Sequence, residues 1–269
     1  MTKKTSHLLL RIYTVVFMAY MLIPLVVMGG AALNDSRFPT ILPWKGFTTR
    51  WFVELYNDQY LWEAAFSTLV VGAAVVLLAV PIGTAAAILI NSLKGRSRTL
   101  LYALMIAPVL TPGAVIGIST LLFWTHFTVP AGLHLSVLGQ VSFIAAYVML
   151  MVLARLQSFD AGLEEAALDL GASHGQMLRR ILIPHLYPSI IAASVLSFFQ
   201  SVENFNTTQF TRGNSTTLTI YVGSKVRSGI TPSINALALI MITLTIIGAI
   251  GYEIYRRREL ARQSLLDAN

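Results

Sequence analysis

Residues 66–90 read FSTLVVGAAVVLLAVPIGTAAAILI, which is 25 consecutive residues without a charged side chain. As a helix with a rise of 1.5 Å per residue, this stretch would be about 38 Å long and would exceed the roughly 30 Å hydrocarbon core of a bilayer. The whole chain of 269 residues is 55% hydrophobic and 12% charged. Soluble domains carry about twice that charged fraction. The sequence therefore predicts an all-α integral membrane protein.

Five other segments are also long and apolar enough to cross a bilayer. The six predicted spans are residues 8–33, 66–90, 100–124, 135–154, 188–211 and 234–255. The first is longer than the apolar core of a signal peptide, so it is interpreted as an uncleaved anchor. We expect residues 1–269 to form a single transmembrane domain.

Basic residues set the expected orientation. If the six spans are correct, 13 of the 19 lysines and arginines lie on the side that holds both chain ends. Cytoplasmic loops are enriched in Lys and Arg, so both termini are predicted to be cytoplasmic.

Several function classes are disfavoured by the composition. The net charge is +7, but the sequence has no basic helix with interleaved aromatic residues, so nucleic acid is not an expected partner. It also lacks a G-x-x-x-x-G-K-[ST] phosphate loop and a cluster of histidines with metal-ligand spacing. We expect no catalytic residues, no metal and no cofactor bound by this chain.

A polar block, EEAALDLGASHGQMLRRILIP at residues 164–184, interrupts the apolar spans. Its first part predicts a short helix, which Asp160 would cap and whose first turn Glu164 and Glu165 would favour through the helix dipole. Gly171 suits the left-handed residue that ends such a helix.

A second short helix is predicted to follow. Ser173 and Gln176 have the spacing of a capping box. Pro184 and Pro188 are expected to end the polar block and lead into the next span. From the pattern alone, two interpretations stay open: an amphipathic loop on the membrane surface, or a docking surface for a partner protein.

Polar residues also interrupt the fifth predicted span. On a helix, Gln200, Glu203, Asn204 and Thr207 would share one face and could line a water-filled pathway. Glu203 is the key residue, because a carboxylate at membrane depth is costly unless it is paired or hydrated, and it would suit a cationic amine substrate. Two alternatives remain: Glu203 pairs with a polar group on another helix or subunit, or the span ends close to it.

The polar block carries a recognisable pattern: Glu165-Ala166-Ala167, three residues, Gly171, and then Ile181-Leu182-Ile183-Pro184. It resembles the signature loop of permease subunits of binding-protein-dependent ABC importers, in which the last four residues are often I-x-L-P. Further stretches resemble the polyamine (spermidine/putrescine) branch of these permeases. They are Asn34–Phe38, Trp44–Trp51, Phe159-Asp160 and Pro232–Ala238.

The resemblance implies a six-helix permease of the type I importer kind in a bacterial cytoplasmic (inner) membrane. Residues 160–184 would be the coupling loop that docks on a separate cytoplasmic ATPase dimer, which would use the ATP. The coupling residues would be Glu164, Glu165, Ala166, Ala167, Gly171 and Pro184. A second permease, identical or different, would complete the pathway.

A periplasmic or lipid-anchored solute-binding protein would face residues 34–65 and 212–233. The substrate would be a small polar solute such as a polyamine. Since the polar stripe holds one acid, a monoamine or an amino-acid-like compound also fits. The alternative from another class is a stand-alone secondary transporter or channel, which would be supported by inverted repeats that the sequence does not show convincingly. An intramembrane enzyme would lack a second catalytic group.

Overall fold

The computed structural model describes residues 3–229 and 231–267, and within these ranges every regular element is a helix. The chain divides into two compact units, residues 1–59 with 222–269 and residues 60–221. An isolated antiparallel bridge joins Asn34 to Phe47 in the loop after the first helix.

The unit formed by the two chain ends contains three helices wholly within it: α1 (Lys3–Leu33), α2 (Arg50–Asn57) and α12 (Pro232–Asp267). Its helices α1 and α12 pack along each other, and Gly29 lies against Leu239. The apolar stretch Leu9–Leu33 confirms the first predicted span.

Helix α12 is longer than the predicted sixth span but less apolar. Its apolar part, Pro232–Gly248, is shorter than 18 residues. Beyond it, Glu253 forms ion pairs with Arg256 at 3.3 Å and Arg257 at 2.7 Å.

The other unit is built around α6. Its helices are α3 (Gln59–Ser92), α4 (Gly95–Ile106), a 3-10 turn (Ala107–Leu110), α5 (Gly113–His126), α6 (Leu133–Leu156), α7 (Ala161–Asp169), α8 (His174–Met177), a π-helical turn (Leu178–Leu182), α9 (Ile183–Val202) and α10 (Thr208–Thr211); α11 (Leu218–Ser228) leads out of it. The most apolar part of α6 is 67% buried inside the chain, against 39% for α3. Helices α3 and α6 confirm the second and fourth predicted spans, and α6 is the centre of this unit.

The third predicted span is broken. Helix α4 with its 3-10 turn meets α5 at an angle of 105°, so the pair is a broken span or a re-entrant loop. The break has a local cause: Thr111 precedes Pro112, and a residue before proline is pushed into the extended conformation that Thr111 adopts, with φ −92° and ψ 131°.

The fifth predicted span is wrong at both ends. One helical run extends over His174–Val202, whereas residues 188–211 were expected. Pro184 therefore lies inside the run and does not end the polar block. The π-helical turn just before it, closed by the Ile183 N–H donating to the Leu178 carbonyl, widens the helix where a proline ring would otherwise meet the carbonyl four residues earlier.

With these changes, four helices in the described residues are long and apolar enough to cross a membrane, and the bent pair adds a fifth if it is one span.

Candidate functional site

Residues 160–184, which we name the coupling block after the role that the resemblance implies for them, begin with helix α7, and α7 has the predicted N-terminal cap. The Asp160 side chain accepts a hydrogen bond of 2.9 Å from the Gly162 N–H, and Glu164 lies in the first turn. A carboxylate there satisfies a backbone donor that has no partner inside the helix, and it also meets the positive end of the helix dipole.

Helix α7 ends as predicted at Gly171, whose φ is +84°. The Gly171 N–H donates to the Leu168 carbonyl at 2.9 Å, and the Ala172 N–H donates to the Ala167 carbonyl at 3.0 Å. These two hydrogen bonds form a Schellman motif, which requires a left-handed residue at this position. The turn between the two helices is therefore held by backbone bonds.

The second helix begins with the predicted capping box. The Gln176 N–H donates to the Ser173 Oγ at 3.3 Å, and the Ser173 N–H donates to the Gln176 Oε1 at 2.9 Å. Because the helical run continues through Pro184 to Val202, this capped end and the end of α9 belong to one rod. At 1.5 Å per residue, its 29 residues measure about 43 Å.

One side of the coupling block is packed and the other is open. Ala167 and Met177 are buried in the core cluster that also contains Val152 and Leu156 of α6. In contrast, Leu170 is 90% exposed, and Glu165 and Ala166 are exposed as well. The turn after α7 thus presents an uncovered apolar side chain next to the exposed residues of α7.

A shallow polar hollow lies beside this surface at the beginning of the rod. It is lined by Ser173, Gly175, Gln176, Arg179 and Arg180.

The predicted pathway residues do not share a helical face, which corrects that expectation. Helix α9 ends at Val202, and Glu203 is the first residue beyond it. Glu203 is exposed and Gln200 is half-buried. The structure thus agrees with the alternative in which the span ends close to Glu203. The carboxylate lies just beyond the C-terminal end of α9.

Asn204 organises the chain after this break. Its Oδ1 accepts hydrogen bonds from the Thr207 N–H at 3.2 Å and from the Thr208 N–H and hydroxyl, both at 3.3 Å. These bonds give partners to backbone N–H groups at the beginning of the short helix α10, whose N-terminal residue is Thr208. Asn204 is therefore a structural residue of the junction.

Thr207 is fully buried and does not line an open pathway within this chain. Its hydroxyl donates to the Gly113 carbonyl at 3.2 Å. A Cβ on Gly117 would come within 2.7 Å of the Thr207 carbonyl oxygen, and one on Gly139 within 2.8 Å of its methyl group. Because Gly117 on α5 and Gly139 on α6 have no side chain, both helices can pack closely against the segment after α9 that contains Thr207.

Sequence reasoning missed Gln140, which contacts the polar segment at the end of α9. It is fully buried on α6, its Nε2 donates to the Thr208 hydroxyl at 2.9 Å, and its Oε1 accepts from the Ser201 hydroxyl at 2.5 Å. A long polar side chain inside an apolar span was the available signal, because such residues in membranes are costly unless they are bonded. Gln140 ties α9, α10 and α6 together beside Glu203.

We expect Gln140→Leu to lower the free energy of unfolding by about 1–2 kcal/mol, since it leaves the buried Ser201 hydroxyl without its acceptor and removes the hydrogen bond donated to the Thr208 hydroxyl. The measurement is the thermal unfolding midpoint of the purified protein in detergent. Gln200→Leu, the same substitution at a half-buried position, is the control and should change the midpoint little. Equal midpoints for the two variants would contradict the assigned role of Gln140.

Residues 79–260 match the model of the family described as the inner membrane component of binding-protein-dependent transport systems. The chain belongs to this family. The matched region includes both the coupling block and the polar junction after α9, and the membership favours a subunit of a multicomponent system over a stand-alone transporter or channel.

This permease is similar over most of its length to two curated relatives from Escherichia coli (strain K12). It is 30% identical over 240 residues to the spermidine/putrescine transport system permease protein PotC, covering 89% of this chain and 90% of that protein. It is 33% identical over 248 residues to the putrescine transport system permease protein PotI, covering 89% of this chain and 88% of that protein.

A solved structure shows the same fold. It is the crystal structure of a bacterial alginate ABC transporter in complex with an alginate pentasaccharide-bound periplasmic protein. One of its chains aligns with a TM-score of 0.66 at 17% identity, covering 90% of this permease and 91% of that chain.

Proposed function

We propose that this permease is the membrane-spanning subunit of an ABC importer for a small amine-bearing solute such as spermidine or putrescine. The observation that carries the proposal is its similarity, over nearly the whole length, to two permeases named for those polyamines. The exposed Glu203 carboxylate after α9 agrees with a cationic substrate, because a negative charge at the end of a span attracts one.

The proposed topology has six spans with both termini in the cytoplasm of a bacterial cell. The spans are α1, α3, the bent pair α4–α5, α6, the rod that ends at Val202, and α12. The bent pair supports the third span if it crosses the bilayer as one broken helix. The surplus of Lys and Arg on the side of the termini supports the orientation.

Coupling to a separate ATPase dimer, which binds and hydrolyses the ATP, is assigned to residues 160–184. Glu164, Glu165, Ala166, Ala167 and Gly171 form or support the open surface that the ATPase would cover. Pro184 lies further along, inside the rod. Because this rod is continuous to Val202, a displacement of its capped end at Ser173 would reach Glu203 without being absorbed by a loop.

The pathway is proposed to run past Gln200 and Glu203, between this permease and a second, identical or different, permease. Asn204 and Thr207 would hold the backbone beside it. A periplasmic or lipid-anchored binding protein would deliver the solute to the loops within residues 34–65 and 212–233. The periplasmic protein bound in the similar alginate transporter structure supports such a partner.

Uptake of labelled spermidine and putrescine tests the substrate, in cells whose only importer of this kind contains this permease. Deletion of the permease should abolish uptake, and Glu203→Gln should lower it by about tenfold or more, which is the loss expected for one charge-assisted interaction. Glu253→Gln, at a carboxylate of α12 outside the proposed pathway and outside the loops assigned to the binding protein, is the control and should retain uptake, since exposed ion pairs such as those with Arg256 and Arg257 contribute little. Unchanged uptake after deletion would exclude polyamines as the substrate.

A further inference from the structure

The loop after α1 forms a rigid knob, residues 34–47, built around the buried Asn34. The Asn34 side-chain amide donates to the carbonyls of Thr40 at 2.8 Å, Ile41 at 3.3 Å and Pro43 at 3.2 Å. Its Oδ1 accepts from the Lys45 N–H at 2.8 Å. A loop whose backbone groups are bonded internally can lie against an apolar environment at little cost.

The knob folds back along α1 instead of projecting away from it. A Cβ on Gly30 would come within 2.5 Å of the Ile41 Cδ1, so the Ile41 side chain lies on the last turn of the helix. Gly30 is three residues before the end of α1 at Leu33, a rise of about 4.5 Å. The knob therefore lies beside the last turn of α1, at the end of the apolar stretch Leu9–Leu33.

Four large apolar side chains of the knob are exposed. Phe38 is 70% exposed, Leu42 75%, Trp44 50% and Phe47 69%. Two exposed cations, Arg37 and Lys45, lie among them in the sequence. Aromatic residues with basic neighbours are the combination found where membrane proteins meet the headgroup layer.

We propose that the knob is an interfacial anchor. Phe38, Leu42, Trp44 and Phe47 enter the boundary between acyl chains and headgroups, and Arg37 and Lys45 are available to lipid phosphates. The bilayer is the occupant favoured over a protein, because the knob directly follows a membrane span and combines exposed aromatic side chains with exposed cations, which suits the headgroup layer. The inference does not depend on the identity of the solute.

The anchor limits which part of residues 34–65 can face a binding protein. If residues 34–47 are held by lipid, the part of this loop left for such a partner begins after the knob. The anchor also fixes the depth of the end of α1, since Asn34 follows Leu33 directly and accepts a hydrogen bond of 3.0 Å from the Trp51 indole N–H on its carbonyl.

Fluorescence quenching tests the anchor in the assembled transporter, reconstituted in nanodiscs. Trp44 is made the sole tryptophan of this permease by changing Trp51, Trp62 and Trp124 to Phe, in an assembly whose other subunits lack tryptophan. The lipids carry bromine near the carbonyl end of their acyl chains. We expect at least twofold quenching of Trp44 by these lipids and little quenching by aqueous iodide. A variant with Trp51 alone is the matched control, because this indole is buried and should respond weakly to both quenchers.

Two results would overturn the proposal. Quenching of Trp44 by iodide and not by brominated lipid would place the knob in water, and protection from both quenchers would place it under another protein subunit. If the triple substitution does not assemble, Trp44→Phe in the otherwise unchanged permease is compared with the parent. The anchor then requires that this single change removes a measurable part of the quenching by brominated lipid, and an unchanged signal would overturn it.

Discussion

Gly171→Asp is expected to leave the permease folded in the membrane and to remove the ATPase from the purified complex, with at least about a tenfold loss of uptake. The backbone at Gly171 has φ +84°, where a residue with a Cβ is strained by about 1–2 kcal/mol. Apart from its chain neighbours, no atom of the described residues lies within 4 Å of the position that the Cβ would occupy, so the side chain has room. The damage should fall on the exposed turn, whose neighbour Leu170 is 90% uncovered, and on whatever covers it.

Gly95→Asp is the matched control for this experiment. Gly95 has φ +63° and equally open surroundings, but it is the first residue of α4, outside the coupling block. Both variants introduce the same charge at a left-handed position. If both retain the ATPase, the turn at Gly171 is not the docking surface; if both lose it, the effect is one of folding, and the coupling assignment loses its support.

Gly83→Ala is expected to lower the free energy of unfolding by about 1–3 kcal/mol, and Gly83→Leu is expected to prevent stable assembly of the helices. A Cβ at Gly83 would collide with the Ala145 carbonyl oxygen and would lie 2.9 Å from the Met149 backbone nitrogen. Backbone atoms of a neighbouring helix cannot rotate away, so α3 and α6 would have to separate. Close approach through small residues is a major source of packing between helices in membranes.

The yield of monodisperse protein and its unfolding midpoint in detergent measure this effect. Gly248→Ala is the control, because this glycine lies in helix α12 and a Cβ there would meet no described atom of another turn or helix within 4 Å. That change should be neutral or slightly stabilising, since alanine has the higher helix propensity. A Gly83→Ala protein as stable as the parent would show that the two helices can move apart without cost.

The coupling block was predictable because its stabilising contacts are local. Asp160 bonds to a backbone group two residues away, and Ser173 and Gln176 bond to each other within one turn. Such caps depend on residue type and spacing, and a single sequence contains both. The same holds for Gly171, where the chain reverses with a left-handed residue.

The end of the fifth span was not predictable on the same grounds. Prolines usually interrupt helices, so Pro184 and Pro188 indicate a boundary before the next span. The π-helical turn at Leu178–Leu182 nevertheless allows the helix to continue. At the other end, helical spacing suggested a shared polar face, while the helix stops at Val202. The Asn204 bonds to Thr207 and Thr208 are local. An asparagine three and four residues before these threonines was the available sequence signal that a new helix begins there.

By itself, the sequence determined that this chain is a membrane protein and where three of its spans lie. It also determined how the turn at Gly171 is closed and which transport family the chain resembles. These properties follow from hydrophobic run length, from capping within a few residues, and from a short motif. Only the tertiary structure decided what the polar residues after α9 do. Thr207 is buried by glycines from about 70 to 95 positions away, and Gln140 reaches Ser201 and Thr208 across more than 60. Burial and hydrogen bonding over such separations depend on how helices pack, and neither spacing nor composition along the chain contains that information.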